Sequence, residues 1–325
     1  MTVSFCGLEL AHRVINGSGT FDAIAARRAF GAALETEFPF AAYVSKTITL
    51  QPREGNPPPR LWEAASGLIN SIGLPNKGLE GYIAEDLPQL ASLTEAARGA
   101  HDGCAVPLIT NVMGSTAEEF STLVRACDGR SEIAAVELNV SCPNVKTGLD
   151  IGADPRQLQD VVLEARAQTR KPLIVKLTPN TADVAACAQA AQAGGADAVS
   201  LINTLRATAL APTTEAPSRE HRVAHSAKPR ASVENDRPPA AARRPAPWLG
   251  GGTGGLSGPA VRAVALAQVA AVAARVSIPV VGMGGVERAA HARELIDAGA
   301  TLVAVGTASF SDPAVATRIA RGLDR

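Results

Sequence analysis

Paired cysteines, a charge excess and a long apolar run are all missing from this 325-residue chain. Its five cysteines, Cys6, Cys104, Cys127, Cys142 and Cys187, are odd in number, scattered, and never in a CxxC pair. Such spacing argues against a disulfide framework, a zinc site or an iron–sulfur cluster carried by this chain alone. Lysine plus arginine equals aspartate plus glutamate at 31 each, so the net charge is zero. The total therefore makes no electrostatic case for nucleic acid or an anionic membrane as partner. No stretch reaches the roughly 18–20 apolar residues of a membrane helix, and the N-terminal MTVSFCGLELAHRV has no basic region leading into a long apolar one. The expectation is a soluble cytoplasmic protein.

What is present is a repeat of short β-branched runs and Ala-rich segments of helical character. The runs are Val14 to Gly17, Ala42 to Thr49, Pro107 to Gly114, Ala134 to Cys142, Pro172 to Pro179, Ala198 to Thr204, Ile278 to Val286 and Leu302 to Thr307. Alternation of this kind predicts βα units on a parallel sheet, and eight runs make a (β/α)8 TIM barrel the economical fold, with 1–325 as a single domain. Val3 to Leu10, with Gly7 near its middle, predicts a small hairpin closing the barrel's bottom. The Pro-rich stretch Gln51 to Gly78 excludes regular helix at its start and reads as a long loop covering a ligand. The segment at about 207–250 is rich in Pro, Ala, Arg and Ser with no clear apolar period. It reads as a low-complexity insertion after the sixth strand, disordered from about Thr213 to Pro245 because it buries too little to offset its ordering entropy.

Several runs end in polar or glycine residues, which a parallel barrel gathers at one mouth. Gly282 to Val286 (GMGGV) and Gly306 to Ser309 (GTAS) follow the last two strands, where barrel loops commonly hold a phosphate on backbone N–H groups. A helix start near Val286 and the turn after Thr307 would add favourable partial charge. Lys46 and Lys176 end otherwise apolar strands, and a buried unpaired ammonium is expensive. Two resolutions are open: an anionic ligand, which a flavin becomes around N1 on reduction, or an ion pair with a carboxylate such as Glu137. Asn70, Asn111, Asn139, Asn144 and Asn203 stand at strand ends or in the covering stretch, and amides that both donate and accept suit a planar polar ring such as a pyrimidine. Cys142, in Glu137-Leu-Asn-Val-Ser-Cys-Pro-Asn144, lies where a strand opens beside these amides and can serve as a general base if its thiolate is stabilised. His12, His101, His221, His225 and His291 all fall outside the strand-end motifs, so no histidine competes for that role.

Together SKTITLQPREGNPPPR, GLINSIGLPNKG, ELNVSCPNVKTG, VKLTPN, LINTLR, GTGGLSGPA, GMGGV and VGTASF, in this order, resemble dihydroorotate dehydrogenases of class 1. Within that class the LINTLR and GGLSGP wording, with Thr204 after the sixth-strand asparagine, is similar to the NAD-linked class 1B catalytic subunit. Class 2 enzymes carry serine where Cys142 stands. The resemblance runs from the N-terminal hairpin to GTASFSDP and breaks in the 207–250 segment.

It implies an FMN-containing barrel that oxidises (S)-dihydroorotate to orotate in pyrimidine biosynthesis. Cys142 would take the proton from C5 while hydride leaves C6 for N5 of FMN. By motif, the substrate would be held by Lys46, Asn70, Ser71, Ile72, Gly73, Leu74, Asn139, Asn144, Asn203 and Thr204. FMN would be held by Ser18, Lys46, Thr47, Asn111, Asn139, Lys176, Ile202, Gly258, Gly284, Gly285, Gly306 and Thr307. No metal site is expected. The resemblance further implies a partner subunit with FAD and a [2Fe–2S] cluster that passes electrons to NAD, in a homodimer or heterotetramer. Two alternatives stand beside it. A dihydropyrimidine dehydrogenase-like barrel would show SCPHG where this chain has SCPNV and needs cluster domains absent here. A non-catalytic barrel subunit is opposed by intact Cys142, Lys46 and Lys176.

Overall fold

The computed structural model describes residues 2–141, 151–211 and 246–324. The eight predicted runs all supply strands of one parallel sheet: β1 (Val14–Asn16), β2 (Tyr43–Val44), β3 (Leu108–Val112), β4 (Ala135–Asn139), β5 (Leu173–Lys176), β6 (Ala198–Leu201), β7 (Val280–Met283) and β8 (Leu302–Val305). Their order is β1-β8-β7-β6-β5-β4-β3-β2, so the two ends of the sheet are the first two strands of the chain. Those ends meet. The Asn16 side chain donates from Nδ2 to Val44 O (2.7 Å) and accepts at Oδ1 from Val44 N (2.7 Å), and Ala41 N donates to Val14 O (3.0 Å). One buried amide thus replaces a missing stretch of ladder and closes a (β/α)8 barrel. Asn16→Leu strands the Val44 N–H and C=O without partners, which costs ~2–6 kcal/mol at about 1–3 kcal/mol per buried group. The expected result is a large drop in urea midpoint with little change in slope; a midpoint equal to that of the native chain would remove Asn16 from the closure.

The helices form because apolar residues recur at helical spacing between clean start signals. Ala117–Asp128 is representative. Thr116 caps it, accepting from Glu119 N, Glu119 reaches back to Ser115 N (2.7 Å), and Phe120, Leu123, Val124 and Cys127 form the buried face. Asp22, Asp154 and Asp183 cap three further helices in the same way.

Inside the barrel the layers change character along the axis. Ile15, Val44, Ile109, Ala135, Ile174, Ala198, Val281 and Leu302 pack with Phe5 and Leu10 of the N-terminal hairpin, whose strands are Val3–Phe5 and Leu8–Leu10. This plugs the bottom with apolar side chains, as the sequence predicts. Two residues further along β3, β4, β5 and β6, Asn111, Glu137, Lys176 and Ser200 form a polar layer. Burial and the neighbouring His101 imidazole, at a ring separation of 5.3 Å, push His12 down from 6.5 to about 4, partly opposed by Asp324. Its Nδ1 accepts from Val14 N (3.2 Å), a role open only to the neutral ring. The unfolded chain therefore takes up a proton that the folded one refuses. Stability is fully present above pH 6.5 and falls by up to about 3 kcal/mol as pH drops toward 4. Urea midpoints measured across that window should fall less steeply in His12→Gln than in the native chain.

A second, four-stranded antiparallel sheet lies at the mouth, in the order Leu205–Ala207, Gly254–Ser257, Gly67–Asn70, Leu61–Ala64. One expectation changes here. The stretch from Gln51 to Gly78 is not simply a loop, because LWEA and GLIN pair as a hairpin. The segment at about 207–250 is ordered at both ends: Leu210 bridges Pro247, and Trp248 N donates to Ala209 O (2.8 Å). The reason is a small satellite core, in which Ile69, Ala209 and Leu249 pack with Trp62, Ala64, Ala207 and Leu256. The middle of that segment, and the disorder expected there, lies outside the described residues. Among the described residues no helix is long and apolar enough to cross a membrane.

Candidate active site

Between the barrel mouth and the second sheet lies a cavity of ≈ 860 Å³, inside the roughly 300–1,000 Å³ range of ligand and cofactor sites. Leu61, Leu68, Asn70, Arg206 and Gly255 face it from the second sheet. From the barrel, its lining includes Ser18, Lys46, Thr47, Asn139, Lys176, Ile202, Asn203, Thr204, Gly284, Gly285, Gly306 and Thr307, joined by Ser71 to Leu74 and Gly258 from the connecting segments. Most of the residues singled out in the sequence are thus gathered around one space. Three are not among them. Asn111 is wholly buried beneath the lining, where it belongs to the polar layer. Cys142 and Asn144 lie outside the described residues.

The two ammonium groups settle differently from the alternative of an ion pair. Glu137 is spent on other partners, accepting from Asn111 Nδ2 (2.5 Å) and Ser200 Oγ (2.6 Å). Neither Lys46 nor Lys176 has a hydrogen-bond or ion-pair partner for its ammonium among the described residues, and Lys176 is only 6% exposed. Two ammoniums at one cavity, neither of them ion-paired among the described residues, are what an anionic ligand set would complete.

Amides and hydroxyls lock the strand ends to one another. Asn139 Oδ1 accepts from Asn203 Nδ2 (3.3 Å) and Ser141 N (3.3 Å), while Asn203 Nδ2 also donates to Ser141 Oγ (2.9 Å). The departure of the chain from β4 toward Cys142 is thereby tied to the end of β6. Ser18 Oγ donates to Ser45 O (2.8 Å) and lies 3.3 Å from Thr47 Oγ1, joining the ends of β1 and β2. Thr307 Oγ1 donates to Ser257 Oγ (2.9 Å), joining β8 to the second sheet. Ser141, Ser257 and Asn180 were missed as site residues. Asn180 donates to Thr204 O (3.2 Å) and accepts from Arg206 N (2.9 Å), holding the link from β6 to the second sheet. Its signal was the asparagine ending VKLTPN.

The loop after β7 needs glycine. Gly285 has φ +67, and a Cβ there would come within 2.8 Å of Arg262 Cβ and 2.9 Å of Gly258 O. The helix after it begins at Ala289, three residues later than the predicted start near Val286. A short helix, Ala308–Ser311, follows β8 with Thr307 at its N-cap.

A parallel barrel with a polar, cation-bearing cavity at its C-terminal mouth defines a (β/α)8-barrel enzyme. A model of the dihydroorotate dehydrogenase family matches residues 1–227 and 237–325. Relatives named "Dihydroorotate dehydrogenase B (NAD(+)), catalytic subunit" include one from Pelobacter propionicus, 41% identical over 326 residues, covering 100% of this chain and 92% of the relative. One from Trichlorobacter lovleyi is 40% identical with the same coverage, and one from Desulforudis audaxviator is 39% identical over 99% of this chain and 91% of its own. The chain belongs to the dihydroorotate dehydrogenase family and is an oxidoreductase of that kind. The family match is interrupted only at 228–236, inside the 207–250 segment.

Proposed function

We propose that this chain is the FMN-dependent catalytic subunit of an NAD-linked dihydroorotate dehydrogenase, converting (S)-dihydroorotate to orotate for pyrimidine biosynthesis. The observation that carries the reading is the pair of ammoniums, Lys46 and Lys176, that have no partner among the described residues at one amide-rimmed cavity in a chain of this family. FMN fits the residues present. Gly284, Gly285, Gly306 and Thr307 would take its phosphate, with Gly258 beside them. Lys46, Lys176 and Asn139, with Ser18, Thr47 and Ile202, would hold its ring, and Asn111, buried beneath them, would brace that floor through Glu137. When bound, the flavin supplies the acceptor for hydride leaving C6 of dihydroorotate.

The chain's own groups supply the rest. Lys46 pairs with the substrate carboxylate. Asn70 to Leu74 wall the substrate, and Asn139, Asn144, Asn203 and Thr204 match the donors and acceptors of its ring. Cys142, as thiolate, removes the C5 proton. Electrons then leave to NAD through a partner subunit carrying FAD and [2Fe–2S], a reading supported by the relatives' names, which specify NAD(+) and a catalytic subunit. The whole chain acts as one cytoplasmic barrel domain within a homodimer or heterotetramer.

The decisive experiment is anaerobic: the purified protein should be yellow and bleach on addition of dihydroorotate, and much less with dihydrouracil. A colourless protein unable to take up FMN sinks the proposal. Because the Gly285 cradle has no space for a Cβ, Gly285→Ala is expected to purify with its flavin content reduced at least about tenfold at limiting FMN, the effect of about 1.4 kcal/mol of strain and clash. Absorbance per mole of protein measures it, and full occupancy with native affinity would clear Gly285 of the phosphate role.

A further inference from the structure

One buried charge has no part in the proposed chemistry. Glu137 is 4% exposed, in the polar layer directly above the apolar plug. Its two close partners are an amide nitrogen, which can only donate, and a serine hydroxyl, which donates its one proton, so both carboxylate oxygens act as acceptors. Asn111 reaches it from the adjacent β3, where the two are register partners, and Ser200 from β6, beyond β5. Lys176 stands next to it on β5: the register pairs Glu137 with Ile174 and Asn139 with Lys176, and the strand alternation points Glu137, Asn139 and Lys176 inward together. The carboxylate therefore lies in the polar layer just beneath the lining to which Lys176 belongs, without forming an ion pair with it. For hydrogen bonding to Asn111 alone a glutamine would serve and would avoid burying a charge, which is expensive. What only a carboxylate adds is fixed negative charge, felt over several ångströms in a weakly screened interior.

Building on the FMN reading above, we propose that Glu137 is a positioning residue for redox potential. Its charge offsets the ammoniums of Lys176 and Lys46, limits how strongly they attract the added negative charge of reduced flavin, and so keeps that flavin a strong enough reductant for an electron path that ends at a nicotinamide. Asn111 and Ser200 hold the carboxylate in place for this purpose. Glu137 itself touches neither substrate nor flavin in this role.

Spectroelectrochemical titration of the intact, FMN-loaded protein tests it without reference to turnover. Glu137→Gln keeps the shape and an acceptor for Asn111 but removes the charge; its midpoint should rise by about 30 mV, a tenfold shift in the two-electron equilibrium. Glu137→Asp keeps the charge and shortens the reach, and should stay near the native midpoint. Ser200→Ala strips one donor from the carboxylate, leaves its charge less offset, and should lower the midpoint; this sign-opposed variant stands even if Glu137→Gln fails to fold. An unchanged or lowered midpoint in Glu137→Gln, an Asp variant that shifts as far as Gln, or a raised or unchanged midpoint in Ser200→Ala overturns the proposal. A native protein that binds no FMN overturns the functional reading and this inference together, whereas an FMN-loaded protein indifferent to these substitutions overturns only the latter.

Discussion

Cys142→Ala is expected to keep its flavin and to lose about 10²–10⁴-fold in the rate at which dihydroorotate reduces it at neutral pH, the usual contribution of a positioned general base. Cys142 itself lies outside the described residues, but the residue before it does not. Ser141 is held at its backbone by Asn139 Oδ1 and at its hydroxyl by Asn203 Nδ2, both members of the cavity lining. The chain therefore reaches Ser141, the residue before Cys142, within the cavity lining. Three other cysteines are poor substitutes. Burial, aided by Asp197, pushes the Cys6 thiol up to about 12; burial pushes Cys127 up to about 12; burial also raises Cys187. A base that works as a thiolate makes the reduction rate climb with pH until the thiol is ionised, around 8.5 for an unperturbed thiol. Stopped-flow bleaching across pH should show that climb in the native protein and a flat, slow profile in Cys142→Ala. Reduction within a few-fold of native would assign the base elsewhere.

Lys46→Met should lower kcat/KM for dihydroorotate by about 10–150-fold, the value of losing a charge-assisted hydrogen bond of roughly 1.5–3 kcal/mol. The backbone around Lys46 is held on both sides, by Ser45 N donating to Ile109 O (2.9 Å) and Ile48 N donating to Asn111 O (3.0 Å). Methionine keeps the length of the side chain, so the strand end has no reason to move. If Lys46 pairs with the substrate carboxylate, most of the loss appears as a raised KM. If it acts mainly on the flavin ring, flavin content or the reduction rate at saturation falls instead. Absorbance and single-turnover kinetics separate the two, and a KM within twofold of native would remove the carboxylate assignment. Lys46→Arg should not restore activity, since a planar fork cannot occupy the place of a compact ammonium.

Strand identity was legible because β-branched runs alternate with capped, Ala-rich helices, and each run ends in polar or glycine residues. Strand length was not. The run Ala42 to Thr49 yields only Tyr43–Val44, since from Ser45 onward the chain bends to the mouth and rejoins β3 through a single bridge, Ile48 to Val112. The hairpin within Gln51 to Gly78 was obscured for a related reason. Its outer partner, Gly254–Ser257, is remote in sequence: Asn70 donates to Gly255 across 185 residues. Prolines and glycines dominate the local signal, and the pairing that overrides them is long-range.

The polar layer shows the same division. By itself the sequence determined that two lysines and several amides at strand ends would meet at one mouth, because parallel strands of a barrel must all end on the same side. It left open whether Glu137 forms an ion pair with Lys176. Only the tertiary structure decided that, by bringing Asn111 and Ser200, 26 and 63 residues away, onto the carboxylate. Strand order and register across a closed sheet choose the partners of an inward side chain, and closure itself hangs on Asn16, a residue whose spacing in the sequence carries no sign of the seam it joins.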